Sequence, residues 1–176
     1  MRTVLSDLKY IWLNMFVAYI PAWWLRKCFY RLAGMKIGQR CRIGIGTKII
    51  RPKNIKLGDG CIINEYCHLD GRGGLTIGNE TSISIYCKIV SASHDLNSND
   101  FKYQSNKIEI HDHVFIGANA MILENTIIKR GAVIGASSVA KGIFDENKIY
   151  AGNPIKCIKD RNCLLKYELY HQAFFR

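Results

Sequence analysis

Aliphatic side chains recur at every sixth position through the middle of the chain, and this spacing restricts the fold more than any other feature. The clearest series consists of Ile110, Ile116, Ile122, Ile128, Ile134 and Ala140. A helix face needs a period of about 3.6 residues and a lone strand one of about two, so neither explains the series. A chain that turns a corner at every repeat explains it, because each aliphatic side chain then points into one prism. The spacing therefore predicts a solenoid of short strands.

The same period continues through residues 35–90 with a regular shift. The aliphatic series advances by two positions at residues 55–57 and again at 75–77, so equivalent positions recur after 20 residues. Glycine often follows the aliphatic residue, where a tight corner leaves little room for a Cβ atom. Internal repetition of this kind indicates a repeat architecture that covers most of the chain.

A polar segment, residues 91–107, interrupts the repeat and contains His94. It has no periodic aliphatic series, and the repeat resumes directly after it. A loop of this length inside a tight solenoid is uncommon and is usually functional. His94 is therefore the first candidate for chemistry.

The two ends of the chain do not repeat. Residues 1–34 are rich in aromatic and basic side chains, and their apolar run is interrupted by Pro21 and shorter than the ~20 residues of a spanning helix. Two short helices are predicted there. They either cover the open end of the solenoid or attach to a membrane surface, and the two roles are compatible. Residues 161–176 are expected to form a short helix that covers the second end.

Charge and cysteine content exclude several classes of protein. The 25 Lys and Arg residues exceed the 14 acidic ones, for a net charge of +11, which favours an anionic partner. The basic residues are spread along the chain without an aromatic-basic signature, so nucleic acid is disfavoured. The seven cysteines are odd in number and lack CxxC spacing, which argues against a disulfide framework. Cys41, Cys61, Cys67 and Cys87 occupy small inward positions and are expected to fill the core in a reducing cytoplasm.

Several ordered motifs together resemble the left-handed β-helix hexapeptide-repeat acyltransferases. They are the repeats of Ile, Leu or Val followed by Gly, the polar loop with an internal histidine, and the closing Ala-Gly-Asn-Pro at residues 151–154. Within that family the chain is most similar to the branch of galactoside, maltose and surface-polysaccharide O-acetyltransferases. The resemblance implies an all-β fold, a left-handed parallel β-helix over residues 35–160 with a projecting loop at 91–107. The N-terminal helical segment and the short C-terminal helix flank it. It also implies a homotrimer with active sites between subunits.

The resemblance assigns roles to seven residues. A sugar hydroxyl that attacks the thioester of acetyl-CoA must lose its proton, and neutral imidazole suits that task near neutral pH. His94 matches the catalytic base of the family, and Asn64 matches an asparagine that contacts the acceptor hydroxyls. Five residues match positions that bind coenzyme A: Phe115 covering the pantetheine arm, Ala118 and Ala136 along it, and Lys141 and Lys156 near the nucleotide. No metal is expected.

The favoured function is O-acetylation of a sugar in bacterial surface polysaccharide biosynthesis, in the cytoplasm or at the inner face of the cytoplasmic membrane. An N-acetyltransferase acting on a nucleotide-linked amino sugar would use the same base and fold. A weaker alternative is a zinc enzyme of the γ-carbonic anhydrase type, which would require His94, His111 and His113 as ligands. Their spacing differs from that of the family, where the last two ligands lie further apart.

Overall fold

Three parallel sheets form the faces of a triangular prism in the computed structural model, which describes residues 4–169. The first face contains β1 (Lys36–Ile37), β4 (Ile55–Leu57), β7 (Leu75–Ile77), β12 (Ile108–Ile110), β15 (Thr126–Ile128) and β18 (Ile143–Phe144). The second contains β2 (Arg42–Ile43), β5 (Ile62–Ile63), β8 (Ser82–Ile83), β13 (Phe115–Ile116), β16 (Val133–Ile134), β19 (Lys148–Ala151) and the antiparallel β20 (Lys156–Asp160). The third contains β3 (Lys48–Ile50), β6 (His68–Asp70), β9 (Lys88–Val90), β14 (Met121–Leu123) and β17 (Val139–Ala140). The predicted left-handed parallel β-helix is confirmed.

The strand register confirms the offset read from the sequence. Ile37 pairs with Leu57 and Leu57 with Ile77, so these coils advance by 20 residues. Ile110 pairs with Ile128, an advance of 18 residues without insertion. The two extra residues of the longer coils lie between the third face and the first, where Pro52–Asn54 form a short 3-10 turn. Because the faces keep their register, side chains of successive coils stack in columns.

The aliphatic positions of the repeat point into the prism and are buried, as predicted. Cys41, Cys61, Cys67 and Cys87 are buried and free, which confirms that they fill the core. The thiols also satisfy backbone oxygens of neighbouring coils, as where Cys61 Sγ donates to the Gly78 carbonyl at 2.9 Å. Small side chains at these positions let the corner of one coil approach the next closely.

The N-terminal segment covers the first coil. It consists of α1 (Val4–Ile11), a π turn (Trp12–Phe16), a 3-10 turn (Val17–Tyr19) and α2 (Trp23–Leu32). The Asn14 amide donates to the Ile49 carbonyl at 2.9 Å and accepts from the Ile49 amide at 2.6 Å. The buried Arg26 donates to the Ile43 carbonyl at 2.9 Å. These side chains replace the hydrogen bonds that a preceding coil would supply, so the covering role is observed.

None of the helices in the described part of the chain has the length and hydropathy needed to cross a bilayer. The outer face of the N-terminal segment nevertheless exposes large apolar side chains, including Trp12, Phe16 and Trp24. Membrane attachment through this face stays a prediction.

The C-terminal tail differs from the expected helix. Residues 161–169 form no helix, and they run back along the edge between the first and second faces instead of covering the second end. Arg161 donates to the Gly131 carbonyl at 3.0 Å, and the Leu169 amide donates to Glu80 at 2.5 Å. Leu165 is buried, whereas its neighbours on both sides are exposed. The backbone of Leu165 is left-handed, with φ of 48°, so the chain turns there and the prediction of a covering helix is wrong for these residues. Residues 170–176 lie outside the described part.

Candidate active site

His94 lies in a hairpin that projects from the prism. It ends β10 (Ala92–His94), which pairs antiparallel with β11 (Tyr103–Ser105). The exposed imidazole stacks on Phe101, with ring centroids 4.4 Å apart and planes 10° apart, and meets Tyr103 edge-on at 5.8 Å. Neither ring nitrogen has a hydrogen-bond partner among the described residues, so the ring is oriented while both nitrogens stay available to a substrate.

A buried carboxylate, Asp70, holds the root of this hairpin. The Ser91 amide donates to Asp70 at 3.0 Å, and the Ser91 carbonyl accepts from the Asn106 amide at 3.0 Å, which joins the two ends of the loop. Arg72 Nε donates to both Asp70 oxygens, at 3.0 and 3.1 Å. Burial opposes ionisation of Asp70, but the hydrogen bonds from Arg72 and Ser91 outweigh it and lower the pKa of the carboxyl.

A second buried carboxylate, Glu124, lies beside the hairpin. Ser93, the neighbour of His94, donates its hydroxyl to Glu124 at 3.1 Å, and Lys141 Nζ donates to the same oxygen at 2.7 Å. Gln104 donates to the Ser93 hydroxyl from the opposite strand at 3.1 Å. Burial opposes ionisation of Glu124, but the hydrogen bonds from Lys141 and Ser93 prevail and lower the pKa of its carboxyl. Lys141, expected near the nucleotide, thus balances a buried charge.

Sequence reasoning missed both carboxylates. Asp70 ends β6 and Glu124 directly follows β14, both at corner positions that would suit a small residue. The sequence did contain a signal for them, namely an acidic residue at a corner position. A carboxylate buried there needs a partner, so it indicates a polar contact.

The small residues expected along pantetheine lie together at the corner between the second and third faces. Ala118 and Ala136 hold equivalent positions on successive coils, and the Ser137 amide donates to the Ala118 carbonyl at 2.9 Å. A Cβ atom on Gly117 would lie 2.5 Å from the Ala136 nitrogen, so only glycine fits there. The half-exposed Phe115 stands on β13 just before this corner.

Two more residues assigned by resemblance lie along the same corner. Lys156 pairs with Ala151, which stacks above Gly135, so it lies near the last coil of this corner. Asn64 lies two coils below Gly117 and donates its amide to the Ile83 carbonyl at 3.1 Å.

The choice of asparagine at position 64 has no conformational explanation. The residue with left-handed backbone at that corner is Tyr66, with φ of 56°, whereas Asn64 is not among the positive-φ residues of the described chain. Asn125 has φ of 59° and is explained by the conformation that asparagine tolerates. Backbone conformation therefore does not explain the asparagine at position 64.

One chain does not bring the base and the small-residue corner together. Asn64 and Ala118 lie before the strands of the third face, and His94 lies after them. Phe115, Ala118, Ala136 and Lys156 thus share one corner, while Lys141 lies with His94 at the other.

The three histidines required by the zinc alternative also lie apart. His111 and His113 follow the first face, whereas His94 follows the third. His113 is half-buried against Tyr167, with ring centroids 5.1 Å apart. In residues 4–169 no three His, Cys, Asp or Glu side chains are grouped to hold a metal ion.

Comparisons with known proteins identify the family of the chain. Residues 107–142 match the model of the bacterial transferase hexapeptide family (six repeats). WbbJ of Escherichia coli strain K12, named as a lipopolysaccharide biosynthesis O-acetyl transferase, is 30% identical over 154 residues, covering 77% of this chain and 76% of the relative. An Escherichia coli dTDP-4-amino-4,6-dideoxy-D-glucose acyltransferase is 26% identical over 176 residues, covering 83% and 90%.

A solved structure shares the fold over most of the chain. It is a hexapeptide-repeat acetyltransferase of Vibrio cholerae O1 biovar eltor in complex with acetyl-coenzyme A, with a TM-score of 0.82 and 22% identity. The likeness covers 90% of this chain and 88% of that one. The sequence relatives show that the chain belongs to the hexapeptide-repeat transferases and is an acyltransferase of that family.

Proposed function

We propose that this protein transfers an acetyl group from acetyl-CoA to a sugar hydroxyl in the biosynthesis of a bacterial surface polysaccharide. The observation that carries the proposal is His94, an exposed imidazole oriented by two aromatic rings on a hairpin with an anchored root. The similarity to a relative named for lipopolysaccharide O-acetylation supports the choice of acceptor.

His94 acts as the general base in this proposal. One ring nitrogen takes the proton of the sugar hydroxyl while the hydroxyl oxygen attacks the thioester carbonyl carbon. A new C–O bond forms, the C–S bond breaks, and the imidazolium returns its proton to the departing thiolate. The thioester is already activated, so the protein needs only to position the reactants and move this proton.

The corner of small residues is the proposed site for the donor. An extended pantetheine arm can lie against Ala118 and Ala136, because residues 117–120 and 135–138 carry no side chain longer than asparagine. Phe115 would cover the arm, and Lys156 would face the phosphates as a point charge. Lys141 reaches the nucleotide only if its ammonium serves Glu124 and a phosphate together, so we expect its role to be mainly structural.

Acceptor contact by Asn64 and assembly as a homotrimer belong to the same proposal. The base and the donor corner lie on opposite sides of the third face, so a complete site needs the hairpin of one subunit beside the corner of another. A closed ring of three copies satisfies this requirement for every subunit.

We propose attachment of the N-terminal segment to the cytoplasmic face of the membrane. Exposed Trp12, Phe16 and Trp24 would enter the interface, and Lys27 and Arg31 would meet anionic headgroups. Enzyme and lipid-linked acceptors would then share one surface.

N-acylation of a nucleotide-linked amino sugar is the second candidate. The similarity to the dTDP-amino sugar acyltransferase favours it, and it needs no different base. A panel of acceptors separates the two candidates, because N-acylation requires a sugar with a free amino group, whereas O-acetylation requires only a hydroxyl group.

The test measures thiol release from acetyl-CoA by the full chain with free, nucleotide-linked and polymeric sugars. His94→Ala should lower the rate by about 10²- to 10⁴-fold, as loss of a general base does. His111→Ala is the matched control, since His111 is also exposed but lies after the first face. Undiminished activity of His94→Ala would overturn the assignment, and an amino sugar as sole acceptor would replace O- by N-acetylation.

A further inference from the structure

An apolar cavity lies between the N-terminal segment and the first coil. Its volume is about 660 Å³. Trp12, Leu13, Phe29 and Leu32 supply its apolar lining from the helices and turns of residues 4–32. This segment leaves space for an apolar chain beside the coil.

A second cavity of about 480 Å³ continues from the first toward the catalytic hairpin. The two share Arg51 and Lys53 in their linings. The second cavity is also lined by Arg72 and by Tyr103, whose ring meets His94 at 5.8 Å. The linings therefore follow one another from apolar side chains, past basic ones, to Tyr103 beside the base.

The charge along this path is positive where the cavities join. Arg51 and Lys53 are exposed, and their side chains make no hydrogen bond or ion pair with any described residue. Arg72 is held in place by the buried Asp70. The lining of the second cavity includes no acidic residue, and that of the first includes only Asp7. Guanidinium and ammonium groups so placed match phosphate oxygens.

We infer that this path binds an acceptor whose sugar is linked through phosphate groups to an apolar chain. The apolar chain occupies the first cavity, the phosphates meet Arg51, Lys53 and Arg72, and the sugar reaches His94. The ligand carries an apolar chain, phosphates and a sugar in that order. The protein presents apolar side chains, basic side chains and the base in the same order. The inference rests on the proposed function and names its acceptor class.

Binding of farnesyl diphosphate to the full chain tests the inference, with inorganic pyrophosphate, farnesol and thymidine diphosphate as comparison probes. Calorimetry should show farnesyl diphosphate binding at least about tenfold more tightly than each of the other three. Arg51→Asn with Lys53→Gln should weaken it by about tenfold or more, since charge-assisted hydrogen bonds are lost. Asparagine suits position 51 because Arg51 has φ of 51°.

Two further variants separate the parts of the path. Leu32→Asp places a charge at the apolar cavity, and because Leu32 is exposed the fold should persist while farnesyl diphosphate binding is lost. The double variant Lys88→Gln with Arg130→Gln is the matched control, since it removes two exposed charges that line neither cavity. Its binding should equal that of the unchanged protein.

Four results would overturn the inference. Pyrophosphate binding as tight as that of farnesyl diphosphate would leave a simple anion site, and tight farnesol or phosphatidylcholine-vesicle binding would leave a general apolar surface. Thymidine diphosphate binding that depends on Arg51 and Lys53 would indicate a nucleotide-linked acceptor. Farnesyl diphosphate binding by the unchanged protein with no acetyl transfer to any sugar would refute the proposed function alone. Full acetyl transfer by the Arg51 and Lys53 variant to a sugar linked through phosphate groups to an apolar chain would refute the path alone.

Discussion

Two corners of the prism surround one core but differ in whether they accept inserted residues. The second corner, between the second and third faces, has four residues in every coil: residues 44–47, 64–67, 84–87, 117–120 and 135–138. The third corner, between the third and first faces, varies in length: residues 51–54, 71–74, 91–107, 124–125 and 141–142. The second corner presents backbone and small side chains at residues 117–120 and 135–138 and the stacked Tyr66 and Tyr86 in earlier coils. The third corner presents His94 and the buried carboxylates Asp70 and Glu124 with their partners.

The difference shows how a repeat fold separates binding from chemistry. A groove for an extended ligand needs the same geometry in successive coils, so the second corner keeps its length. The third corner can insert residues because they lie outside the prism and the entropic cost of a longer loop grows slowly. The insertion stays ordered where buried Asp70 and Glu124 pair with it.

The largest expected effects come from shortening the third corner and lengthening the second. Replacing residues 91–107 by the four-residue connection Gly-Arg-Gly-Gly of residues 71–74 should leave a folded prism without detectable acetyl transfer. Inserting two glycines between Ala118 and Asn119 should instead prevent folding, because the stacking of that corner is lost. Circular dichroism and thermal unfolding measure both outcomes. A folded insertion variant would show that the second corner is as tolerant as the third.

Asp70→Asn should destabilise the protein by about 3 kcal/mol, because it removes one partner of a buried charge pair and weakens the hairpin root. Denaturant unfolding measures the free energy. The matched control is Asp145→Asn, whose exposed ion pair with Lys129 should contribute nothing measurable. Equal unfolding curves for the two variants would mean that Asp70 is not an anchor.

Glu124 should make the third corner sensitive to acid. Its pKa is lowered in the folded state, so the unfolded chain binds the proton more readily. The stabilisation is therefore present above the unfolded pKa, near 4.5, and is lost as the pH falls through the folded pKa. Unfolding between neutral and acidic pH should show a steeper loss of stability in the unchanged protein than in Glu124→Gln. Parallel curves would contradict this role.

The smallest expected effects compare one phenylalanine from each corner. Phe101→Leu removes the ring stacked on His94, a contact of about 1 kcal/mol, so kcat should fall by roughly fivefold with KM for acetyl-CoA unchanged. Phe115→Leu, at the second corner, should raise KM for acetyl-CoA with kcat nearly unchanged. Steady-state kinetics at varied acetyl-CoA separate the two. The reverse pattern would place the donor at the third corner.

Sequence reasoning succeeded where the physics is local and repeated. The period of six predicted the prism, the two-residue shifts predicted the 20-residue register, and the position of four cysteines predicted buried thiols. The site residues assigned by resemblance lie at two corners of the prism, and their roles stay predictions. The prediction for the tail failed because Arg161 holds this segment through hydrogen bonds to the carbonyls of His113 and Gly131, which lie far away in the chain.

The sequence by itself determined the solenoid, because each aliphatic residue needs only the repeat to reach the core. Only the tertiary structure decided which polar side chains meet at the third corner. Asp70 and Ser91 are 21 positions apart, and Ser93 and Glu124 are 31 apart. Their contact depends on how coils of unequal length stack. A buried carboxylate then takes whichever donors that stacking brings within reach, because it cannot stay unpaired.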